Sequence, residues 1–69
     1  MASKSSSGVA AVDRALTILE AFRNTDESAL TLASLAAKTG FYKSTILRLL
    51  VSLEKYGYVR QINDGRYKL

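Results

Sequence analysis

Four glycines, together with the absence of proline, divide this chain into short segments and so restrict the folds open to it. The glycines stand at positions 8, 40, 57 and 65, and each lies where one pattern of residues ends and another begins. A glycine directly after a helical repeat is typical of a helix C-terminus, because glycine adopts the left-handed cap conformation without strain. The chain has 69 residues, so these segments must pack together as one small domain.

Three of the segments show the three- and four-residue apolar spacing of amphipathic helices. We predict helices over residues 9–24, 32–39 and 43–56, the last beginning at position 42 or 43. Ser7 and Thr31 are the predicted N-caps of the first two helices, because a hydroxyl there accepts a hydrogen bond from a free backbone N–H group.

The apolar spacing also predicts which side of each helix is buried. The predicted core faces are Val12, Ala15, Leu16, Leu19 and Phe22 in the first helix, Leu32, Leu35, Ala36 and Thr39 in the second, and Ile46, Leu49, Leu50, Leu53 and Tyr56 in the third. Ile18 falls at the edge of the first stripe. We therefore expect a single copy to leave Ile18 exposed.

The C-terminal residues predict a hairpin. Residues 58–62 are rich in β-forming side chains, and residues 66–69 alternate basic and apolar side chains. Between them, Asn63, Asp64 and Gly65 form a turn, since Asp-Gly tolerates the positive φ angles of tight hairpin turns.

The order helix, helix, tight turn, helix, hairpin predicts a mainly α fold, the winged helix-turn-helix, with three helices and a two-stranded wing. The domain spans residues 9–69, with the helix-turn-helix at about 31–50 and the wing at about 58–69. Residues 1–8 are polar and Ser-rich, and we expect them to be a flexible tail.

The residue types present argue against catalysis. The chain contains no histidine and no cysteine, which removes the commonest general base and the commonest zinc ligands, and its six carboxylates are scattered. We therefore expect neither an enzyme nor a cofactor or metal site. No apolar run approaches the length of about 18 residues that a membrane span needs, and no secretory signal is present, so we expect no membrane partner.

Positive charge is concentrated towards the C-terminus. The formal net charge is +4, and residues 1–41 contain equal numbers of cations and anions. Residues 42–69 carry six Lys or Arg side chains against Glu54 and Asp64. This part of the domain is either a solvated face that happens to be basic or an electrostatic footprint for phosphate.

The third helix has a distinct outer side. At about 100° per residue, the side chains opposite its apolar face are Ser44, Leu47, Arg48, Val51, Ser52 and Lys55. This side has two cations, two hydroxyls and no carboxylate, and a helix fits the major groove of B-DNA, which is about 12 Å wide. Leu47 and Val51 are unusual on a solvated face, so they either contact thymine methyl groups and sugar edges or pack against a neighbouring element.

Five short motifs follow one another along the chain. They are VDRALTILE at 12–20, LTLASLA at 30–36, TGFYKSTILRLL at 39–50, LEKYGYV at 53–59 and DGRYKL at 64–69. Together they closely resemble the DNA-binding domain of the IclR family of bacterial transcriptional regulators, over residues 9–69. Tyr42 departs from the family pattern, since many members carry proline there. Its phenol either reaches a phosphate or a base, or packs on the core side.

The resemblance implies a sequence-specific DNA-binding domain at the N-terminal end of a longer cytoplasmic regulator. Family members form homodimers, partly through the first helix, and bind partly palindromic operators in double-stranded DNA as repressors or activators. With this resemblance, Ile18 is the candidate contact for a second copy. They bind small-molecule effectors through a C-terminal domain, which the resemblance places outside this chain.

Several side chains are candidates for phosphate contact. The N-terminal end of the third helix favours anions, and Ser44 and Thr45 add hydroxyl donors there, with helix capping as the alternative role. Lys43 contacts the DNA backbone or is merely solvated. Thr31 touches phosphate across the groove or acts only as a cap.

The remaining predicted DNA contacts involve mainly arginines. Arg48 is long enough to donate two hydrogen bonds to O6 and N7 of guanine, or else it contacts phosphate or pairs with Glu54 or Asp13. Arg14, on the first helix, binds phosphate or pairs with an acid. Arg66 and Asn63 at the wing suit the minor groove or phosphate, with an exposed turn as the alternative. The predicted DNA contacts are Thr31, Lys43, Ser44, Thr45, Leu47, Arg48, Val51, Ser52, Lys55, Asn63 and Arg66.

A second class of function stays open, namely a winged helix used for protein–protein contact without specific DNA binding. In such modules the exposed face of the third helix is usually acidic or broadly apolar, whereas this one carries Arg48 and Lys55.

Overall fold

Three helices followed by a two-stranded antiparallel hairpin make up residues 8–69, the part of the chain that the computed structural model describes. The elements are α1 (Ala10–Arg23), α2 (Leu32–Thr39), α3 (Lys43–Lys55), β1 (Arg60–Gln61) and β2 (Tyr67–Lys68). This confirms the predicted mainly α winged helix-turn-helix. The predicted Ser7 cap and nearly all of the predicted tail lie outside the described residues, and Val9 holds the N-cap position of α1 without a side-chain cap bond.

Local hydrogen bonds fix both ends of α2. The Thr31 hydroxyl accepts the Ser34 N–H at 3.0 Å, as predicted for an N-cap. Gly40 takes the left-handed conformation at φ 80°, and its N–H donates to the Ala36 carbonyl at 2.8 Å. Because a side chain is strained at this φ, glycine allows the chain to turn directly into α3. Residues 40–42 alone separate the two helices.

The core lies where the three helices meet, and each helix packs against the other two. Its buried members are Ile18, Phe22, Leu30, Leu35, Ile46, Leu50, Val59 and Tyr67. Among residues 8–69, no polar or charged residue is buried. Each fully buried aliphatic side chain contributes about 1.5–3 kcal/mol relative to exposure, so this small apolar set holds the domain together.

The predicted core face of α1 is confirmed for Phe22, which is buried, and for Leu19, which packs against the core, but it is wrong for Val12 and Leu16. Ile18 is fully buried, whereas Leu16 is 53% exposed and Val12 is exposed as well. At about 100° per residue, the apolar side chains of α1 occupy a wide arc of the helix surface, with Ile18 near one edge and Leu16 near the other. This arc is wider than the part of α1 that the neighbouring helices cover. Spacing alone does not indicate which edge faces α2 and α3. The predicted exposure of Ile18, and with it a contact between copies at this residue, is therefore wrong.

The end of α3 also differs from the prediction. Tyr56 does not continue the buried stripe and is 73% exposed. The reason is that α3 ends at Lys55 and the chain then turns at Gly57, where φ is 83°.

The wing is shorter than predicted and is tied to the helices. Its paired residues are confined to β1 and β2, not to the whole of 58–62 and 66–69. Leu30, just before α2, exchanges two backbone hydrogen bonds of 2.8 Å with Tyr67. This bridge anchors the wing at the start of the helix-turn-helix. It was not predicted, because a single bridging residue carries no strand periodicity.

None of the helices between residues 8 and 69 is long and apolar enough to cross a lipid bilayer.

Candidate nucleic-acid interface

The N-terminal end of α3 presents backbone donors that the helix does not use. Its N-cap, Tyr42, makes no side-chain cap bond, and the Ile46 N–H donates to the Tyr42 carbonyl at 3.1 Å. The N–H groups of residues 43–45 therefore have no acceptor within the helix. Because the first turn contains no acidic residue and the helix dipole is positive here, this end suits an anion such as phosphate.

The cations on the outer side of α3 are exposed and lack acidic partners. Neither Arg48 nor Lys55 forms an ion pair with any residue in 8–69. The alternative pairing of Arg48 with Glu54 or Asp13 is thus not observed. Lys55 lies with its Nζ 5.9 Å from the centroid of the Tyr56 ring, which leaves its charge at the surface.

Apolar side chains lie among these cations. Val51 is 60% exposed and Leu47 is also exposed, so neither is buried against a neighbouring element. Tyr42 is 83% exposed, which excludes packing on the core side. The outer side of α3 therefore offers both cationic and apolar contacts.

α1 contributes a further cation to the same surface. A groove of about 500 Å³ between α1 and α3 is lined by Ala11, Arg14, Thr45, Arg48, Leu49, Val51 and Ser52. A second groove, of about 370 Å³ near the α2–α3 turn, shares Arg14, Thr45 and Arg48. Neither groove has a carboxylate in its lining, and Arg14 forms no ion pair with the described residues. Two guanidinium groups from different helices thus border one concave surface.

A close ion pair holds the tip of the wing. Asp64 Oδ1 accepts the backbone N–H of Arg66 at 3.0 Å, and Asp64 Oδ2 accepts its Nε–H at 2.8 Å. The backbone hydrogen bond from Arg66, supported by the guanidinium, lowers the pKa of the Asp64 carboxyl. Asn63, the preceding residue, is exposed. Arg66, the cation at the tip of the wing, therefore has one of its side-chain donors already engaged.

Two more cations face each other across the hairpin. Arg60 is the direct antiparallel partner of Lys68, so their side chains lie on one face of the ribbon. Tyr67 is buried in the core, and successive side chains of a strand point to opposite faces, so this pair lies on the face away from the core. Neither cation forms an ion pair within residues 8–69.

Comparison with known families agrees with this geometry. The model of the IclR helix-turn-helix domain matches residues 11–62, which run from the first turn of α1 to just beyond β1 and make up most of the chain. This chain belongs to the IclR helix-turn-helix family. It is a DNA-binding domain of the transcription-regulator type. No curated protein matches the chain.

In this IclR-type domain the predicted contacts occupy three places. α3 carries Lys43, Ser44, Thr45, Leu47, Arg48, Val51, Ser52 and Lys55. Asn63 and Arg66 lie at the wing, and both fall beyond the matched residues. Thr31 stands apart at the start of α2, where its hydroxyl oxygen already serves as the cap.

Three of the unpaired cations described above, Arg14, Arg60 and Lys68, are not among the predicted contacts of the IclR-type domain. The sequence leaves Arg14 open between phosphate and an acid, because its position beside α3 follows only once Ile18 is known to be the buried edge of α1. The sequence patterns do not single out Arg60 or Lys68. Their pairing follows from the hairpin register, which the turn at residues 63–65 could have indicated.

Proposed function

We propose that this domain binds specific sequences in double-stranded DNA, with α3 in the major groove and the wing against the adjacent backbone. The observation that supports the proposal is the composition of the outer side of α3. Exposed cations, hydroxyls and apolar groups lie there without a carboxylate, and the N-terminal end of the helix adds unused backbone N–H donors. In helix-turn-helix proteins the N-terminal residues of this helix contact base edges. Arg48 has the planar fork to bind guanine, and Lys55 meets phosphate.

Arg14 is assigned a backbone contact in this arrangement. It borders the same grooves as Arg48 and Thr45, and it carries a charge that no described acid neutralises. A phosphate lying along the α1–α3 groove would supply that counter-charge.

Two copies are expected to bind one partly palindromic operator. Ile18 is buried and does not serve this contact, but Val12 and Leu16 on α1 form an exposed apolar strip together with Val9 at its N-cap. Apolar helix surface without a neighbour supports a contact between copies about a two-fold axis. Because one copy reads only one half-site, we expect the isolated chain to bind DNA weakly.

The test is selection of duplexes from a random pool by the 69-residue chain, followed by titrations of the selected duplex and a scrambled duplex at several salt concentrations. We expect one enriched motif, and a slope of log K against log salt of about −0.9 for each phosphate contacted. Arg14→Ala should reduce the steepness by about one phosphate on both duplexes.

Arg23→Ala is the matched control, because Arg23 lies on the same helix but pairs with Glu20 at 2.6 Å. It should leave the slope unchanged. A pool without an enriched motif, together with a slope near zero, would reject DNA binding and favour a protein–protein module that uses Leu47 and Val51.

A further inference from the structure

The tip of the wing is fixed by hydrogen bonds on several sides. The Gly65 N–H donates to the Ile62 carbonyl at 2.9 Å, and the Ile62 N–H donates to the Arg66 carbonyl at 2.8 Å. The Gln61 side-chain amide donates to the Gly65 carbonyl at 3.0 Å. These bonds hold the turn in which Asp64 and Arg66 lie, so the two side chains start from a defined backbone.

Asp64 uses both of its carboxylate oxygens on Arg66. One oxygen accepts the backbone N–H at 3.0 Å and the other accepts Nε–H at 2.8 Å. An arginine has five N–H donors, so the Nη1 and Nη2 end of the guanidinium keeps its donors, none of which bonds to a described residue. The side chains are 41% and 54% exposed, and such surface pairs add little stability. The effect of the pair is therefore on the orientation of Arg66.

The negative charge of Asp64 lowers the affinity for DNA that is bound without regard to its sequence. Residues 42–69 contain only two acids, Glu54 and Asp64, and Asp64 lies at the tip of the wing. A carboxylate there repels phosphate unless Arg66 lies between the two. Specificity often arises from such a repulsive element, which penalises wrong complexes more than the right one.

We propose that Asp64 is a positioning residue that raises the sequence specificity of DNA binding: it holds Arg66 by Nε so that the Nη1 and Nη2 end meets a backbone phosphate in one register, and it repels phosphate in the others. This inference rests on the proposed DNA binding. In this proposal, an acid of the wing increases the discrimination between DNA sequences and does not increase the affinity for DNA.

The experiment compares the wild-type chain with Asp64→Asn, Arg66→Ala and the double variant, on the selected duplex and on a scrambled duplex of the same composition. Asp64→Asn should tighten binding to the scrambled duplex about fivefold, the order expected for one surface charge, and steepen its salt slope by about 0.9. Binding to the selected duplex should change less, so the ratio of the two affinities falls. In the Arg66→Ala background, Asp64→Asn should no longer lower that ratio, because the two residues act as one unit.

Glu54→Gln is the matched control, since it removes the other acid of this segment and should leave the affinity ratio unchanged. An NMR measurement on the free chain checks the pair without DNA: the Arg66 Nε–H resonance should broaden by exchange with water in Asp64→Ala and persist in Glu54→Gln. The proposal is overturned if Asp64→Asn raises both affinities by the same factor whether residue 66 is Arg or Ala, which would be simple charge repulsion. If wild-type chain selects no motif at all, DNA binding itself fails, and this inference fails with it.

Discussion

Arg23 and Arg48 are both arginines on exposed helix faces, but their neighbours differ. Arg23 has Glu20 at 2.6 Å, whereas Arg48 borders two grooves without a carboxylate in their lining. Arg23 donates to Glu20 from Nη1, at the end of its guanidinium, so it must give up that partner before this end binds phosphate. Arg48 has no such partner among residues 8–69, and Arg66 is held by Asp64 only at Nε and the backbone. At the scale of single residues, the donor that the nearest acid occupies therefore separates candidate DNA contacts from solvated charges more sharply than residue type does.

Arg48 and Lys55 should respond differently to truncation, because they lie two turns apart on the outer side of α3. Arg48→Ala should cost about 1–3 kcal/mol on the selected duplex and flatten the preference among sequences. Lys55→Ala should weaken binding to all duplexes about equally. Arg48→Lys should restore part of the loss, since an ammonium group lacks the planar fork.

The measurement is a titration series on selected and scrambled duplexes. Equal losses on both duplexes for Arg48→Ala would make Arg48 a phosphate contact and would leave base reading to Ser44, Leu47, Val51 or the wing.

The pH dependence of the wing should follow Asp64. Its pKa is lowered, first by the backbone N–H of Arg66 and then by the guanidinium. The stabilisation is therefore fully present above the ordinary aspartate pKa of about 4 and is lost as the pH falls through the lowered pKa. Arg66→Ala should raise the pKa of Asp64 only part of the way to its ordinary value, because residue 66 keeps its N–H. NMR titration of the Asp64 carboxyl measures this, and complete restoration would identify the guanidinium as the main cause.

At the scale of elements, the sequence predicted the features that hydrogen bonds between nearby residues create. The Thr31 cap and the Gly40 turn fix α2 and its connection to α3, and both are visible in the sequence. The buried edge of α1 was not predictable, since it depends on where α2 and α3 lie and the apolar arc of α1 is wide enough for either edge. The bridge from Leu30 to Tyr67 was equally hidden, because it joins residues more than half the chain apart.

The hairpin carries a conflict between stability and binding. Arg60 and Lys68 are two positive charges directly across the hairpin from each other, and such a pair destabilises the hairpin. A cross-strand pair of opposite sign instead stabilises it by roughly 0.2–1 kcal/mol. Lys68→Glu should therefore raise the melting temperature by a few degrees and weaken binding to every duplex. Lys68→Gln, the control, should give intermediate values in both assays. Thermal unfolding and DNA titration test this, and a variant with neither change would show that the two cations act independently.

At the scale of the whole molecule, some apolar side chains form the core and others remain exposed at two separate places. Ile18 and Phe22 of α1 close the core, while Val12 and Leu16 of the same helix stay at the surface. The outer side of α3 adds Leu47 and Val51 on a different helix. The described part of the chain thus has two separate exposed apolar surfaces, which we propose contact a second copy and DNA, and each should be open to disruption without the other.

Leu16→Glu should leave the fold intact and weaken pairing of two copies on the operator, since Leu16 is exposed in the single domain. Cooperative binding to a two-half-site duplex should fall, while the affinity for one half-site should change little beyond the effect of the added charge. Ala37→Glu places the same charge at an exposed position of α2 and serves as the control. Sedimentation and titration on both duplexes would contradict the interface if the two variants behaved alike.

The bridge between Leu30 and Tyr67 has a consequence for how the domain opens. Each residue donates its amide hydrogen to the other, so neither amide exchanges with solvent unless both strands separate. Detachment of the wing therefore uncovers the backbone just before α2, and these two amides should show the same degree of protection from hydrogen exchange. The bridge closes a long loop, so it should also form late in folding, after the helices have collapsed on one another. An encounter with DNA that pulls on the wing would be transmitted to α2 along the same two hydrogen bonds.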